Sequence, residues 1–275
     1  MAYHFETGDF GARKPVFLPD KEYGLALDAL VKGCADVLLT RGRGASLRVL
    51  LGKRRVEPQP DWWFVGGRTR PGETPAEGAA RNVKREIGLA ASRRRFALVG
   101  AYSLLWRTRA QPPETNGTAD VSTVFELALT DAEAGAVTPA AFDAKEYADA
   151  AWVPVATVLS GDYHPALQQA CRDLVASHAY ADLVAAARDD RGVAAAARRY
   201  VAWRESAPAD AAKVRFGVGG YTFVDRATGA VVPRPAAPTP PLEPAARSPL
   251  DRGLARCAVV AVVAFAAGRL LRPGR

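Results

Sequence analysis

The chain has 275 residues, 49% hydrophobic and 24% charged, with 37 Lys and Arg against 29 Asp and Glu for a net charge of +8. These values exclude wholesale disorder and collagen-like repeats, and a chain of this length buries a core without disulfide staples. Cys34, Cys171 and Cys257 are scattered and only three histidines occur, so neither a disulfide framework nor a multi-histidine metal cage is expected.

Cysteine usage fits a reducing compartment, and a cytoplasmic location is expected. The basic balance attracts polyanions, and charge alone does not choose among nucleic acid, acidic lipid and a phosphorylated small molecule. No Lys/Arg block of five occurs, and nucleic acid is not expected.

Residues 1–20 are mixed and polar and read as an N-terminal extension, without the apolar core of a secretory signal. A mixed α/β domain is assigned to residues 21–175. Within it, CADVLLT (34–40) and SLRVLLGKR (46–54) are short apolar runs around a Gly-rich turn, which predicts a hairpin of buried strands. DWWFVGGR (61–68) is a strand entry broken by two glycines, and residues 74–87 read as a helix. FALVGAYSLLW (96–106) and STVFELAL (122–129) alternate as strands, joined by a polar loop, and AAWVPVATVL (150–159) is a strand followed by a short turn or helix. Residues 176–232 are expected to form a helical and hairpin extension, with the hairpin turn at Thr228-Gly229. Residues 233–250 are Pro/Ala-rich and read as a semi-stiff linker. The tail, 251–275, is strongly apolar. Its uninterrupted run from Cys257 to Gly268 falls short of the ~20 residues of a spanning helix. Two readings stay open, a docking amphipathic helix and a tail anchor in a membrane. The assembly is open too, with a homodimer among the options.

The chemistry lies in GGRTRPGETPAEGAARNVKREIGL, residues 66–89. Thr74 as N-cap, Pro75 at the first helical position and Glu77 three residues on from Thr74 make a capping box, and Gly88 stops the helix. Ala79, Val83 and Ile87 form the face that packs on the sheet, while Asn82 and Glu86 share another. Glu73 and Arg81 read as a structural pair fixing loop to helix, and Arg85 as solvent-facing. A helix carboxylate facing glycine-loop carbonyls is an oxygen site suited to Mg²⁺, and Arg54, Arg68 and Arg70 suit a diphosphate. Trp62 and Trp63 suit either base stacking or the core, and His164 reads as a helix cap.

The segment resembles the Nudix box, G-x5-E-x7-R-E-U-x-E-E-x-G-U with U apolar. Gly67, Glu73, Arg81, Val83, Glu86, Gly88 and Leu89 fall on it without a gap. The resemblance covers roughly residues 25–175. It implies the Nudix α/β/α sandwich with a mixed sheet, here extended by the C-terminal helical and hairpin part. Asn82 and Arg85 stand where typical Nudix hydrolases carry acids that hold two or three cations, so one metal at most is expected. The GDP-mannose mannosyl hydrolases lack the same two acids, and LLGKR (50–54), WWF (62–64), GGR (66–68), Gly117-Thr118 and KEYADAAW (145–152) are similar to them.

By that resemblance Glu86, the Gly67 carbonyl and Glu146 would bind one Mg²⁺, with Mn²⁺ as a substitute. Arg54 and Arg68 would hold the diphosphate and Asp36 would contact substrate. Tyr147 stands where that branch has its general-base histidine. A phenol with a pKa near ~10 is a poor base, and Glu146 is the alternative. Three functions follow. The first is Mg²⁺-dependent hydrolysis of a nucleotide sugar such as GDP-mannose at the sugar carbon. The second is conventional pyrophosphohydrolysis with Glu73, Glu86 and Glu146 as metal ligands. The third is a non-catalytic Nudix-fold binding module. The hydrolytic readings need the Glu86 carboxyl to face the pocket and the Arg85 guanidinium to stay out of the cation's place.

Overall fold

The computed structural model of the chain describes residues 16–189, 192–205, 212–217, 220–225 and 228–232, together with Phe5 and Thr7. The linker and apolar tail expected at 233–250 and 251–275 lie outside the described residues, as does most of the N-terminal extension. Among the described residues no helix is long and apolar enough to cross a membrane. The chain divides into two compact units, residues 1–170 and 171–275.

The first unit is built on a mixed sheet. Helix α1 (Asp20–Ala29) leads into β1 (Lys32–Arg41), followed by β2 (Arg48–Arg54), β3 (Trp62–Trp63) and β4 (Val65–Arg68). After helix α2 (Pro75–Ile87) come β5 (Ala97–Trp106), β6 (Thr118–Ala128), helix α3 (Asp131–Ala136), β7 (Tyr147–Pro154) and helix α4 (Val155–Ser160). The strand order is β3-β2-β1-β6-β5, with β4 also on β1 and β7 also on β2. Only β1 and β6 run parallel, Cys34 opposite Ser122 and Leu39 opposite Leu127; the other pairs are antiparallel.

Ala35 to Thr40 are all buried, so β1 is covered on both faces, as its continuous apolar run predicts. On one face Ala79, Val83 and Ile87 of α2 pack against Ala35, Val37, Leu39, Phe125 and Leu127. The α/β/α arrangement expected from the sequence is the observed one. The hairpin β1–β2 forms in the predicted place, with Leu39 opposite Leu50.

Helix α2 has the expected ends. The Thr74 hydroxyl accepts from the Glu77 N–H at 3.2 Å, and the Glu77 carboxylate accepts from the Thr74 N–H at 2.9 Å. Gly88 closes the helix at φ 72°, a left-handed geometry that favours glycine. Two elements were not read from the sequence: α1, and α3 with its own Thr130/Glu133 capping box. β6 starts at Thr118 rather than 122, and β7 at Tyr147 rather than 150. In β6, polar residues facing a cavity, Thr118 and Asp120, masked the strand's beginning.

Helix α5 (Pro165–Asp189) crosses from the first unit into the second. The second unit continues with α6 (Val193–Glu205), β8 (Ala212–Gly217), β9 (Gly220–Asp225) and β10 (Val231–Val232). Within it, Tyr180 meets Tyr200 at 5.6 Å between ring centres, and Arg199–Asp182 and Arg204–Asp173 pair at 3.3 Å. The Thr228-Gly229 turn lies between β9 and β10, so the extension has one more strand than predicted.

Candidate functional site

A polar cavity of about 470 Å³ opens at the end of the first unit's sheet where β1 and β6 begin. The strand register explains who faces it. β1 sets Cys34 opposite Arg68 and Asp36 opposite Gly66 on β4. On its other side β1 sets Lys32 opposite Asp120 and Cys34 opposite Ser122 on β6. Arg54 lies at the end of β2, where a register shift after Lys53 brings it opposite Tyr147; such a bulge re-aims a side chain. The last turn of α2 supplies Arg85 and Glu86, and the loop before β7 supplies Glu146. The site residues implied by the resemblance, Asp36, Arg54, Gly67, Arg68, Glu86, Glu146 and Tyr147, line this one cavity, whereas Arg70 and Glu73 are not in its lining.

Asp36 is buried, and its carboxylate accepts from the Ser122 hydroxyl at 2.6 Å. Burial pushes its pKa up to about 6, against the opposing effects of Ser122 and the Arg54 charge. Glu73 and Arg81 form the expected clamp. Arg81 donates to both Glu73 oxygens at 2.6 and 2.8 Å, to Asn82 Oδ1 at 2.8 Å and to the Arg68 carbonyl at 2.9 Å. Tyr147 is buried against Phe142, ring centres 5.0 Å apart. Desolvation, then the neighbouring Glu86 charge, pushes its pKa well above the ordinary phenol value.

Glu86 does face the cavity, its side chain only 6% exposed. Its neighbour Arg85 is solvent-exposed as expected, at 52%, and its guanidinium also reaches back to Glu86 and the glycine strand, which the sequence reading did not include. Arg85 Nε donates to Glu86 Oε1 at 2.9 Å, Arg85 Nη2 donates to the same oxygen, and Nη2 also reaches the Gly66 carbonyl at 3.1 Å. Asn82 Nδ2 donates to the Gly67 carbonyl at 2.9 Å and to the Ala35 carbonyl at 3.2 Å. Of the groups expected to hold Mg²⁺ or Mn²⁺, Glu86 through Oε1 and the Gly67 carbonyl are therefore already engaged by N–H donors, and Glu146 stands apart from them at the rim. Among the described residues no group of three His, Cys, Asp or Glu is placed to hold a metal. As they stand, these residues do not fit a divalent ion. The physical cause is the pair of replaced acids: a helix that presents donors turns acceptors toward itself.

Several contributors were missed in the sequence. Thr118, Asp120 and Ser122 are buried on β6 and line the cavity, while Val121 between them is 45% exposed. Polar residues inward and an apolar one outward invert the usual strand pattern, which was the available signal. Asp120 pairs with Lys32 at 3.1 Å and accepts from Trp106 Nε1 at 2.8 Å. Arg109 is buried, binding Asp28 of α1 at 2.6 Å and the Gly117 carbonyl at 3.1 Å, and so ties the cavity's loop wall to α1. Tyr23 of α1 lies 5.3 Å from the Arg68 guanidinium. Trp63 packs edge-on to Phe64, Trp106 and His164, a core position. His164 Nδ1 accepts from the Ala166 N–H at 3.1 Å, capping α5 as expected; burial lowers its pKa to about 4.

Comparison with known proteins places this geometry in context. The family profile described as NUDIX domain matches residues 32–174, just over half of the chain. A stretch of 54 residues is 43% identical to an octanoyltransferase of Myxococcus xanthus; the match covers 20% of this chain and spans about 15% of the length of that curated relative. Among solved structures, a MutT NUDIX hydrolase from Burkholderia pseudomallei is 18% identical, with a TM-score of 0.41, over 52% of this chain and 98% of that one. An Ap4A hydrolase of C. elegans is 14% identical, with a TM-score of 0.37, over 53% and 96%. NrtR of Shewanella oneidensis is 17% identical, with a TM-score of 0.39, over 54% and 65%.

Proposed function

Because the chain belongs to the NUDIX domain family, we propose that its cavity takes a nucleoside diphosphate derivative, in particular a nucleotide sugar such as GDP-mannose, and hydrolyses it. The observation that supports this reading is the cavity's charge layout, with Arg54, Arg68 and Arg85 lining the same space as the buried carboxylates Asp36 and Asp120. Guanidinium forks match phosphate oxygens, and hydroxyl-rich ligands suit buried carboxylates.

The favoured step is attack of water on the anomeric carbon. A carbon–oxygen bond forms, the bond from that carbon to the diphosphate oxygen breaks, and its electron pair leaves with the intact nucleoside diphosphate. The arginines neutralise that departing charge. Glu146, exposed at the cavity rim, takes the water's proton; such a base contributes ~10²–10⁴-fold. Pyrophosphohydrolysis finds less support, because both oxygens of Glu73 are held by Arg81 and are not available to a metal. A second reading, binding without turnover, is favoured by the Arg85–Glu86 pair, which occupies the carboxylate expected to serve a cation.

Products separate these readings. Full-length protein incubated with GDP-mannose should release GDP and mannose. GMP with mannose 1-phosphate would place attack at phosphorus. Binding without either product pair would sustain the second reading. No binding of any nucleotide sugar would end both.

A further inference from the structure

We propose that Arg85 is a resident substitute for a divalent cation, so that the cavity takes a nucleoside diphosphate with no metal ion present. The inference rests on the reading that the cavity takes such ligands, and deepens it. It starts from the places of the atoms. Glu86 Oε1 and the Gly66 carbonyl both accept from one guanidinium, which thus bridges the helix carboxylate and the glycine strand. Built onto Gly67, a Cβ would lie 3.1 Å from Arg85 Nη2, so the group rests directly over that strand.

The contrast in burial is informative. The Glu86 side chain is 6% exposed and the Arg85 side chain 52% exposed. The anion is fixed beneath, and the cation caps it from the cavity side. Of the five N–H groups of an arginine, three are spent on Glu86 and Gly66. The Nη1 pair has no partner among the described residues and remains for a phosphate oxygen. Arg54 and Arg68 line the same cavity. A guanidinium in this place carries one positive charge, holds its geometry through Glu86, and needs no dehydration of a metal aquo ion before it meets the diphosphate.

The test uses the full-length chain, GDP as ligand and Mn²⁺ as metal probe. Calorimetric titration of GDP should give dissociation constants within about twofold of each other in EDTA and in excess Mg²⁺. Titration of the free protein with Mn²⁺, followed by electron paramagnetic resonance, should show no site. Arg85→Gln should weaken GDP binding in EDTA by about tenfold. Arg85→Glu, which returns an acid to the helix, should create Mn²⁺ binding and make GDP binding depend on Mg²⁺. Arg85 is half exposed but partners the buried Glu86, so circular dichroism and Tm of both variants are measured alongside to show that they fold. Stoichiometric Mn²⁺ binding by the unaltered protein, or loss of GDP binding in EDTA, would overturn the inference. If GDP binds under neither condition, the ligand reading and the diphosphate role of Arg85 fall together, whereas the Mn²⁺ titrations still decide whether Arg85 bars a cation.

Discussion

Replacing Arg81 by alanine removes a guanidinium that makes two bonds to Glu73, one to Asn82 and one to the Arg68 carbonyl. The pair is largely sheltered, with side-chain exposures of 21% and 14%, so it differs from a surface ion pair, which contributes ~0–1 kcal/mol. Charge-assisted hydrogen bonds contribute roughly 1.5–3 kcal/mol each, and the alanine variant leaves Glu73 with only the Arg70 N–H. We expect a loss of about 3 kcal/mol, read as a fall in urea midpoint at unchanged slope and as a drop in Tm of roughly 6–12 °C. A double-mutant cycle with Glu73→Ala should return a coupling of about 2 kcal/mol. The Arg81 guanidinium also holds the Glu73 carboxyl below its ordinary value of 4.5. A depressed acid stabilises the fold above its unfolded pKa and loses that contribution as pH falls through the folded one. The advantage of the natural protein over Glu73→Gln should therefore be complete at neutral pH and shrink below about pH 4.5. A coupling under about 0.5 kcal/mol, independent of pH, would refute the clamp.

Asp36 has the opposite sign. Its folded pKa is raised to about 6, so folding takes up a proton between the unfolded value of 3.8 and that point, and ionisation there costs stability. Asp36→Asn keeps an oxygen for Ser122, so its stability relative to the natural protein should grow as pH rises from about 4 to about 6; urea midpoints that move in parallel would count against this. The Cys34 thiol is pushed up to about 12 by burial and by the charges of Asp36 and Asp120. Its peptide should be alkylated about a thousandfold more slowly in the folded chain than in urea, and equal rates measured by mass spectrometry would contradict that environment. A Cβ at Gly66 would collide with the Asp36 carboxylate and lie 2.7 Å from the Ala35 carbonyl. Gly66→Ala should cost about 3 kcal/mol, and an unchanged Tm would mean that β1 and β4 are not so closely apposed.

What could be read from the sequence was what the chain settles locally. The caps of α2, the inward face of Ala79, Val83 and Ile87, and the Glu73–Arg81 pair follow from spacings of three, four and eight residues. The cavity's other half follows from register. Thr118, Asp120 and Ser122 become a polar wall only because β6 lies parallel to β1, and Arg109 becomes a buried tie only because Asp28 lies on a helix far back in the chain. Helix α1 went unread because Pro19 supplies no side-chain cap. The bond from the exposed Arg85 back to the glycine strand went unread for the same kind of reason. A charged residue beside a helix end reads as solvated, and the acceptor that fixes it, the Gly66 carbonyl, lies 19 residues earlier.

The exchange of acids for donors on α2 also constrains the chemistry. Asn82 takes the Gly67 carbonyl and Arg85 takes the Gly66 carbonyl, so the helix grips the glycine strand directly. What a guanidinium does not reproduce is the Lewis acidity of a metal ion, which lowers the pKa of bound water. Arginine remains charged and neutralises a leaving group, yet it generates no hydroxide. On the proposed reading, hydrolysis in this cavity draws its base from a carboxylate, since burial and the neighbouring Glu86 charge push the Tyr147 phenol above its ordinary value. Of the cavity's carboxylates, Asp120 is paired with Lys32, Glu86 with Arg85, and Glu57 accepts from Thr108, which leaves Glu146 and Asp36 as the candidates. Glu146→Gln should lower the turnover of GDP-mannose by ~10²-fold or more with GDP affinity little changed. If Asp36→Asn gives that result instead, the proton leaves through the buried floor of the cavity rather than at its rim.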